Sequence, residues 1–393
     1  MAGAATVPQP PLAECPKSAS ESVAAIPKYL QELQLSPEQK EVIASLAVED
    51  AAATVPQPPV PECPKSASES VAAIPKYLQE LQLSPEQKEV IASLPVEDSM
   101  LEKHCHQYKG FWFDTRHLVG MLSCQERFEA QETDVLVVSY PKAGTTWLKA
   151  LAFAVIKRAQ FPDPEQQPLL SANPHEVVPY LEFSFIGQSP PDLDRFGHPR
   201  LLGSHLPAVA LPKSVHDKGC KLVYVWRDPK DTFISLWHFL NKIKSSDRNA
   251  ISIDEAIDKF IKGITSQGPF WEHVLSYWKE SMENPKRVLF LRYESMKEDP
   301  KAVVKKLSEF LDCPFSPEEE ASGVVDKIVK LCSFESLSNL EVNKNGKLPV
   351  GVPNDSFFRK GEVGDSTNFL SPENVKVIDE ITKEKFAGFA LIL

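Results

Sequence analysis

Short runs of Val, Leu and Tyr bounded by polar turns recur along the chain: "DVLVVSY" (134–140), "KLVYVWR" (221–227) and "RVLFLRYE" (287–294). Continuous apolar runs of this length read as strands buried on both faces, as in a parallel sheet. Behind each run the spacing changes. In "TTWLKALAFAVIKRAQ", "DTFISLWHFLNKIK" and "PKAVVKKLSEFL" apolar residues return every three or four positions, the pattern of an amphipathic helix. Alternating strands and helices predict an α/β fold with a central parallel sheet and helices on both faces. Residues 159–215, rich in Pro and aromatics, are expected to be largely loop, of the kind that walls a binding pocket.

Ahead of these elements lies an internal duplication. Residues 5–50 recur at 53–98, and only three of the 46 aligned positions differ: Leu12/Val60, Ala13/Pro61 and Ala47/Pro95. Such identity reads as a recent duplication, because stacked repeats keep only their packing positions and need more than two copies. In each copy a Pro- and Ser-rich lead precedes "IPKYLQELQL" and "SPEQKEVIASL", and the latter opens on Ser, Pro and Glu, a helix start signal. The expected organisation is a largely flexible extension, 1–98, with a short helix or two per copy, followed by a single domain, 99–393.

Composition then narrows the function classes. The net charge of −11 is concentrated in the first 100 residues, with 14 Asp and Glu against 6 Lys; the other 293 are nearly balanced, 40 against 37. Global acidity argues against a nucleic-acid surface but leaves room for a local anion pocket in the second part. No run of about 18 apolar residues occurs, so no membrane span is expected. The start "MAGAATVPQPPLAECPK" lacks the basic flank and apolar core of a secretory signal, and the first arginine is Arg116. Seven cysteines (15, 63, 105, 124, 220, 313, 332) without a C-x-x-C pair read as reduced thiols. The chain is expected in the cytoplasm.

The chemistry is concentrated in "SYPKAGTTWLKA", 139–150. A strand that turns sharply into a helix leaves backbone N–H groups and the positive end of the helix dipole facing the turn. Gly144 permits close approach, Thr145 and Thr146 supply hydroxyl donors, and Lys142 adds a full charge. The loop is an anion site in outline, yet its lysine precedes its only glycine, unlike the pattern G-x-x-x-x-G-K-[ST]. Taken alone it also fits an ordinary strand-to-helix turn with a threonine cap. In "WRDPKDTFISLWHF" (226–239), Arg227 leaves a strand end and Ser235 lies eight residues on in the next helix. Ligands of open parallel sheets sit at the carboxyl ends of strands, so Lys142 and Arg227 can grip two separated anionic groups. Arg227 equally fits a surface pair with Asp228 or Asp231. In "FFRKGEVGDSTNF" (357–369), Arg359, Lys360 and Gly361 form a further anion clamp or simply a charged loop.

Together "YPKAGTTW", "RDPKDTFISLWHF", "LRYESMKEDP" and "RKGEVGDSTN" resemble the cytosolic sulfotransferase family, most of all its plant members. "YKGFWFDTRHLVGMLSCQERFEAQETDVLVVSYPKAGTTWLKAL" strengthens the resemblance, which spans residues 76–393 or so. It implies a single P-loop-like α/β domain that binds 3′-phosphoadenosine 5′-phosphosulfate (PAPS) and transfers its sulfuryl group to the hydroxyl of a small organic acceptor. Carried over, it assigns Lys142, Ala143, Gly144, Thr145, Thr146 and Trp147 to the 5′-phosphosulfate, with Trp147 also stacking on the adenine. Arg227 and Ser235 then hold the 3′-phosphate with Arg359, Lys360 and Gly361. Tyr293 touches the nucleotide and Phe334 covers the adenine's other face. The catalytic base is His205, which matches the family's "[ST]-H-[LF]-P" segment in "RLLGSHLP". Lys142 stabilises charge on the departing bridging oxygen, and Ser235 biases Lys142 between ground and transition states. No metal is required, since no carboxylate or His/Cys cluster has ligand spacing and sulfate carries less charge than a terminal phosphate.

Phe111, Trp112, Phe183 and Phe185 either line an aromatic acceptor pocket or pack the core. Flavonoids, steroids, hydroxylated fatty-acid signals and oximes all fit such a pocket. Three positions depart from the family pattern. Ser366 and Thr367 replace a Trp and a Lys of the late loop, Gly203 stands where some members carry a lysine, and the extension is duplicated. A P-loop kinase is disfavoured because no lysine follows the loop glycine and no Asp sits at a strand end to hold Mg²⁺. A nucleotide-binding protein without turnover is the other rival, and the joint presence of Lys142, Arg227, Ser235 and His205 speaks against it.

Overall fold

The first described elements are a helix and a small antiparallel sheet, neither belonging to the strand–helix series. The computed structural model describes residues 83–391 apart from 101–103, 164–165, 188, 190 and 245–248. The first repeat copy, and the second up to residue 82, lie outside them. The described residues up to Ala387 belong to one unit, Ser70–Ala387. Helix α1 (Pro85–Ser93) starts where the Ser-Pro signal placed it: Ser84 Oγ accepts from the Gln87 amide at 3.1 Å and the Gln87 side chain accepts from the Ser84 amide. The reciprocal cap is thus closed by Gln87 rather than by the neighbouring glutamate. Ile91 on this helix is fully buried. Strands β1 (Val96–Glu97), β2 (Cys105–Tyr108) and β3 (Phe111–Asp114) follow, with Val96 opposite His106. The last residues of the second repeat copy are therefore part of a sheet.

The three apolar runs form parallel strands β4 (Val135–Ser139), β6 (Lys221–Trp226) and β7 (Val288–Arg292), joined by β5 (Leu201–Ser204) in the order β5-β4-β6-β7. Strand β5 lies inside the segment expected to be loop. It is four residues long, contains Gly203 and pairs along its length with β4, with a single bridge to Tyr180 on its other side, so its sequence carries too little pattern to announce it. The alternation of side chains divides the sheet into two faces. Val135, Val137, Val223, Val225, Leu289 and Leu291 share one apolar cluster with helices α2 (Thr145–Lys157) and α3 (Pro300–Phe310). On the opposite face Tyr224 stacks on Tyr277 at 4.5 Å, from the buried side of the helix Phe270–Glu283. Both faces are covered, which is why the strands read as unbroken apolar runs.

Because all four strands run the same way, their carboxyl ends meet at one edge. The next residue in each case is Tyr140, His205, Arg227 or Tyr293. Parallel pairing in register, Val138 opposite both Ser204 and Tyr224, brings these ends together. Truncating Ile91 to Ala should lower the unfolding free energy by about 2–5 kcal/mol, the range for emptying a buried aliphatic site. Urea unfolding would read this as a lower midpoint at unchanged slope. A change below about 0.5 kcal/mol, the size of ordinary surface effects, would exclude α1 from the cooperative unit.

Candidate active site

A cavity of about 880 Å³ opens at this edge, and nearly every sequence-predicted site residue lines it: Lys142, Gly144, Thr145, Thr146, Trp147, His205, Arg227, Ser235, Tyr293, Phe334, Arg359, Lys360 and Gly361. Ala143 is the exception, buried beneath the loop. The loop is built on two residues in the left-handed region, Lys142 at φ 69° and Gly144 at φ 120°. A Cβ on Gly144 would lie 2.7 Å from the Tyr293 ring, so glycine is required for space as well as for conformation. Thr145 opens α2 and is tied to the strand end by a short hydrogen bond between its hydroxyl and that of Ser139.

Lys142 carries its ammonium 4.1 Å from the Phe239 ring centre and donates to the Ser356 carbonyl at 3.5 Å, rather than to Ser235. Burial, reinforced by the charges of Arg359, Arg227 and Lys242, pushes its pKa down to about 7. The three cationic neighbours make the surroundings of Lys142 electropositive.

His205 follows β5 directly. Its Nδ1 lies 2.7 Å from the carbonyl oxygen of Ser139, the last residue of β4. A carbonyl can only accept, so Nδ1 carries the proton and Nε2 keeps its lone pair. Burial holds the ring well below the ordinary histidine range against the opposing pull of that hydrogen bond, and Lys149, His117 and His273 add to the depression. The imidazole is neutral at physiological pH. Its backbone amide donates to Glu182 Oε1 at 2.8 Å. Glu182 is fully buried, and burial raises its pKa.

Part of the cavity lining is cationic. Arg227 pairs with Asp231 at 2.8 Å, donates to the Glu362 carbonyl and lies 4.5 Å from the Tyr293 ring centre. Arg359 and Lys360 both pair with Asp365, Lys360 at 2.5 Å. Burial opposes charge on Asp365, yet hydrogen bonds from Lys360, Arg359 and Asn368 hold it well below the usual carboxylate range. Gly361 lies against Phe334: a Cβ there would come within 2.6 Å of the ring. The late loop is anchored through its backbone, with Gly364 and Ser366 amides donating to Asp231 at 2.7 and 2.9 Å. Ser366 is itself buried, so the anchor operates with a serine where the family pattern has tryptophan.

Between His205 and the cavity mouth the walls are largely apolar. Of the four aromatics considered for this pocket only Phe183 lines it; Phe111, Trp112 and Phe185 are core residues, packed where neighbouring elements cover them. The lining instead draws on Tyr180, Leu236, Phe239, Leu240, Val350 and Phe357. Sequence reasoning missed these because they sit on elements far apart in the chain. The segment "NPHEVVPYLEF" did carry a signal, since one histidine and two glutamates are interspersed among its apolar residues. At Gly203 a Cβ would lie 2.2 Å from Lys149 Cε, so the room a larger residue would need is filled by that lysine. Among the described residues no group of His, Cys, Asp and Glu is placed to hold a metal ion, and no helix is long and apolar enough to cross a membrane.

Residues 132–390 match the family model described as the sulfotransferase domain. Cytosolic sulfotransferase 16 of Arabidopsis thaliana is 48% identical over 290 residues, covering 73% of this chain and 86% of that protein. The chain belongs to the sulfotransferase family. Cytosolic sulfotransferase 5 of the same plant is 46% identical over 72% of this chain and 89% of its own length. Among solved structures, that of an Arabidopsis thaliana putative steroid sulphotransferase superposes with a TM-score of 0.66 at 38% identity, covering 82% of this chain and 100% of that one. Mouse sulfotransferase SULT7A1 complexed with PAP gives a TM-score of 0.53 at 29% identity, covering 72% and 94%. This protein is accordingly a plant-type sulfotransferase.

The depressed lysine gives the sulfotransferase a pH signature. Lys142 has a folded pKa of about 7 against 10.5 for the free side chain, so the ligand-free fold bears a protonation penalty. That penalty is full below pH ~7 and fades as pH rises toward the unfolded value. Lys142→Met should therefore raise the melting temperature of the free enzyme most at or below neutral pH, with the gain shrinking by pH 10. A gain independent of pH would show that the ammonium is not the source.

Proposed function

We propose that this sulfotransferase binds PAPS across the cavity and transfers its sulfuryl group to a hydroxyl of a small organic acceptor, with His205 as general base. One observation carries the reading: Ser139 ends the strand that leads into the 142–147 loop, and its carbonyl also fixes the His205 ring. A single residue thus sets the spacing between the phosphosulfate cradle and the nitrogen that takes the proton. The 5′-phosphosulfate lies over Lys142, Gly144, Thr145 and Thr146, and the 3′-phosphate meets Arg227, Ser235, Arg359, Lys360 and the Gly361 amide. Trp147 and Phe334, both on the cavity wall, take the adenine between them, with Tyr293 alongside. The 3′-phosphate replaces Asp365 as the partner of Arg359 and Lys360.

In the reaction the acceptor oxygen attacks sulfur in line with the bridging oxygen. His205 Nε2 takes the hydroxyl proton, the bond between sulfur and the bridging oxygen breaks, and 3′-phosphoadenosine 5′-phosphate (PAP) leaves with the electron pair. Lys142 stabilises the charge on that oxygen, while Ser235 draws the lysine aside before the acceptor arrives. The apolar lining suits a phenolic, steroidal or similar acceptor. The cytosolic naming of the relatives supports a cytosolic setting.

Purified protein should sulfate members of a phenol, steroid and alcohol panel from labelled PAPS. His205→Ala should lower kcat by about 10²–10⁴-fold, the usual scale for a positioned acid–base group, with PAP affinity unchanged within about twofold. Turnover by the variant comparable to wild type would remove His205 from this role. Tight PAP binding without turnover on any acceptor would favour the binding-only reading.

A further inference from the structure

Behind the phosphate loop lies a buried polar chain that the transfer mechanism leaves unused. Lys149 stands on α2, three residues after Thr146 and hence on a neighbouring position of the helix surface. It is fully buried, and among the described residues no carboxylate forms an ion pair with it. Its Nζ lies 3.1 Å from the Tyr180 ring centre, donates to the Val178 carbonyl at 2.9 Å and reaches His175 Nδ1 at 3.2 Å. The other nitrogen of that ring, Nε2, is 2.9 Å from Thr146 Oγ1. Burial pushes the Lys149 pKa well down, against the opposing charge of Glu182, and an amine enclosed by a histidine and an aromatic face is costly unless the arrangement serves something.

The ring of His175 has little freedom. Tyr180 stacks on it at 5.2 Å and 18°, and Phe357 covers it at 4.2 Å. Its backbone is set by Asn173, which caps the short helix Pro174–Val177 and is hydrogen-bonded to Asn343 at 2.8 Å. Burial, then the charges of Lys149, His205 and Lys142, hold the ring well below the ordinary histidine range, so it is neutral. A neutral imidazole has one donor and one acceptor nitrogen. With Lys149 donating, Nδ1 accepts and the proton resides on Nε2.

We propose that Lys149 and His175 are positioning residues that act as a directional donor relay, fixing Thr146 as a hydrogen-bond donor to the phosphosulfate. Lys149 donates to Nδ1, Nε2–H donates to Thr146 Oγ1, and the threonine proton is left for the anion. In the reverse orientation Thr146 would donate to the ring and turn its lone pairs toward the phosphosulfate, exchanging attraction for repulsion. Gly203 belongs to the same device, since any side chain there would occupy the space of Lys149. The relay rests on the placement of Thr146 against the phosphosulfate proposed above.

A double-mutant cycle on PAP binding, read by calorimetry, tests it. Thr146→Val and His175→Leu should each weaken PAP by about 10–100-fold, the scale of a hydrogen bond to a charged group. In the Thr146→Val background the His175→Leu change should add less than about twofold, because its effect runs through the lost hydroxyl. His175→Gln, which keeps a donor in place of Nε2–H, should stay within about threefold of wild type; the melting temperature of each variant verifies folding. Ring ¹⁵N shifts should report His175 protonated on Nε2 in wild type and a tautomer mixture in Lys149→Met. Equal losses from His175→Leu in both backgrounds, or a His175→Gln protein as weak as His175→Leu, would overturn the relay alone. Unchanged PAP affinity in Thr146→Val would overturn the cradle placement itself and the relay with it.

Discussion

The Ser139 carbonyl is the point from which the site is laid out. It ends the central strand β4, accepts the Nδ1 proton of His205 from the neighbouring edge strand, and precedes the loop that turns into α2. The Ser139 hydroxyl meets Thr145, so both ends of one residue are committed. Because β4 and β5 are parallel and in register, His205 and the loop leave the sheet at the same level. Shifting the register by one residue would turn the side chains of β5 to the opposite face and carry His205 out of line. The placement of His205 against the loop is thus a consequence of sheet pairing.

Charge is organised by the same economy of partners. Asp231 receives Arg227 and two amides of the late loop, which fixes the guanidinium and the loop by one carboxylate. Burial raises the cost of that carboxylate, and Arg227 with the Ser366 and Gly364 amides more than offsets it, so its pKa is lowered. Asp365 does the equivalent for Arg359 and Lys360, holding both cations in place at the cavity wall. Among the described residues no carboxylate pairs with Lys142, which feels its cationic neighbours directly. The site is pre-organised for anions at the cost of a disfavoured lysine charge, an arrangement expected where binding energy is to appear as electrostatic stabilisation.

Much of this was legible in the chain. Three strands, their following helices, the phosphate loop, Arg227, Ser235 and the 359–361 clamp all carried local patterns, and the structure gathers them on one cavity. The illegible parts were short or non-local. Strand β5 has only four residues, and Gly203 owes its place to Lys149, which lies 54 positions earlier in the chain. Phe111, Trp112 and Phe185 stood open between pocket and core because aromaticity alone does not say which side of an element is covered. Phe239 and Phe357, which do line the cavity, looked like ordinary helix and loop residues.

By itself the sequence determined the class of fold, the anion-binding character of the loop and the family, because each depends on contiguous residues whose spacing sets local geometry. The tertiary structure decided which nitrogen of His205 is free, which cations are held by carboxylates, and which aromatics line the cavity. Those properties arise from hydrogen bonds and burial between segments far apart in the chain. Only the packed sheet and its covering helices bring such partners within bonding distance.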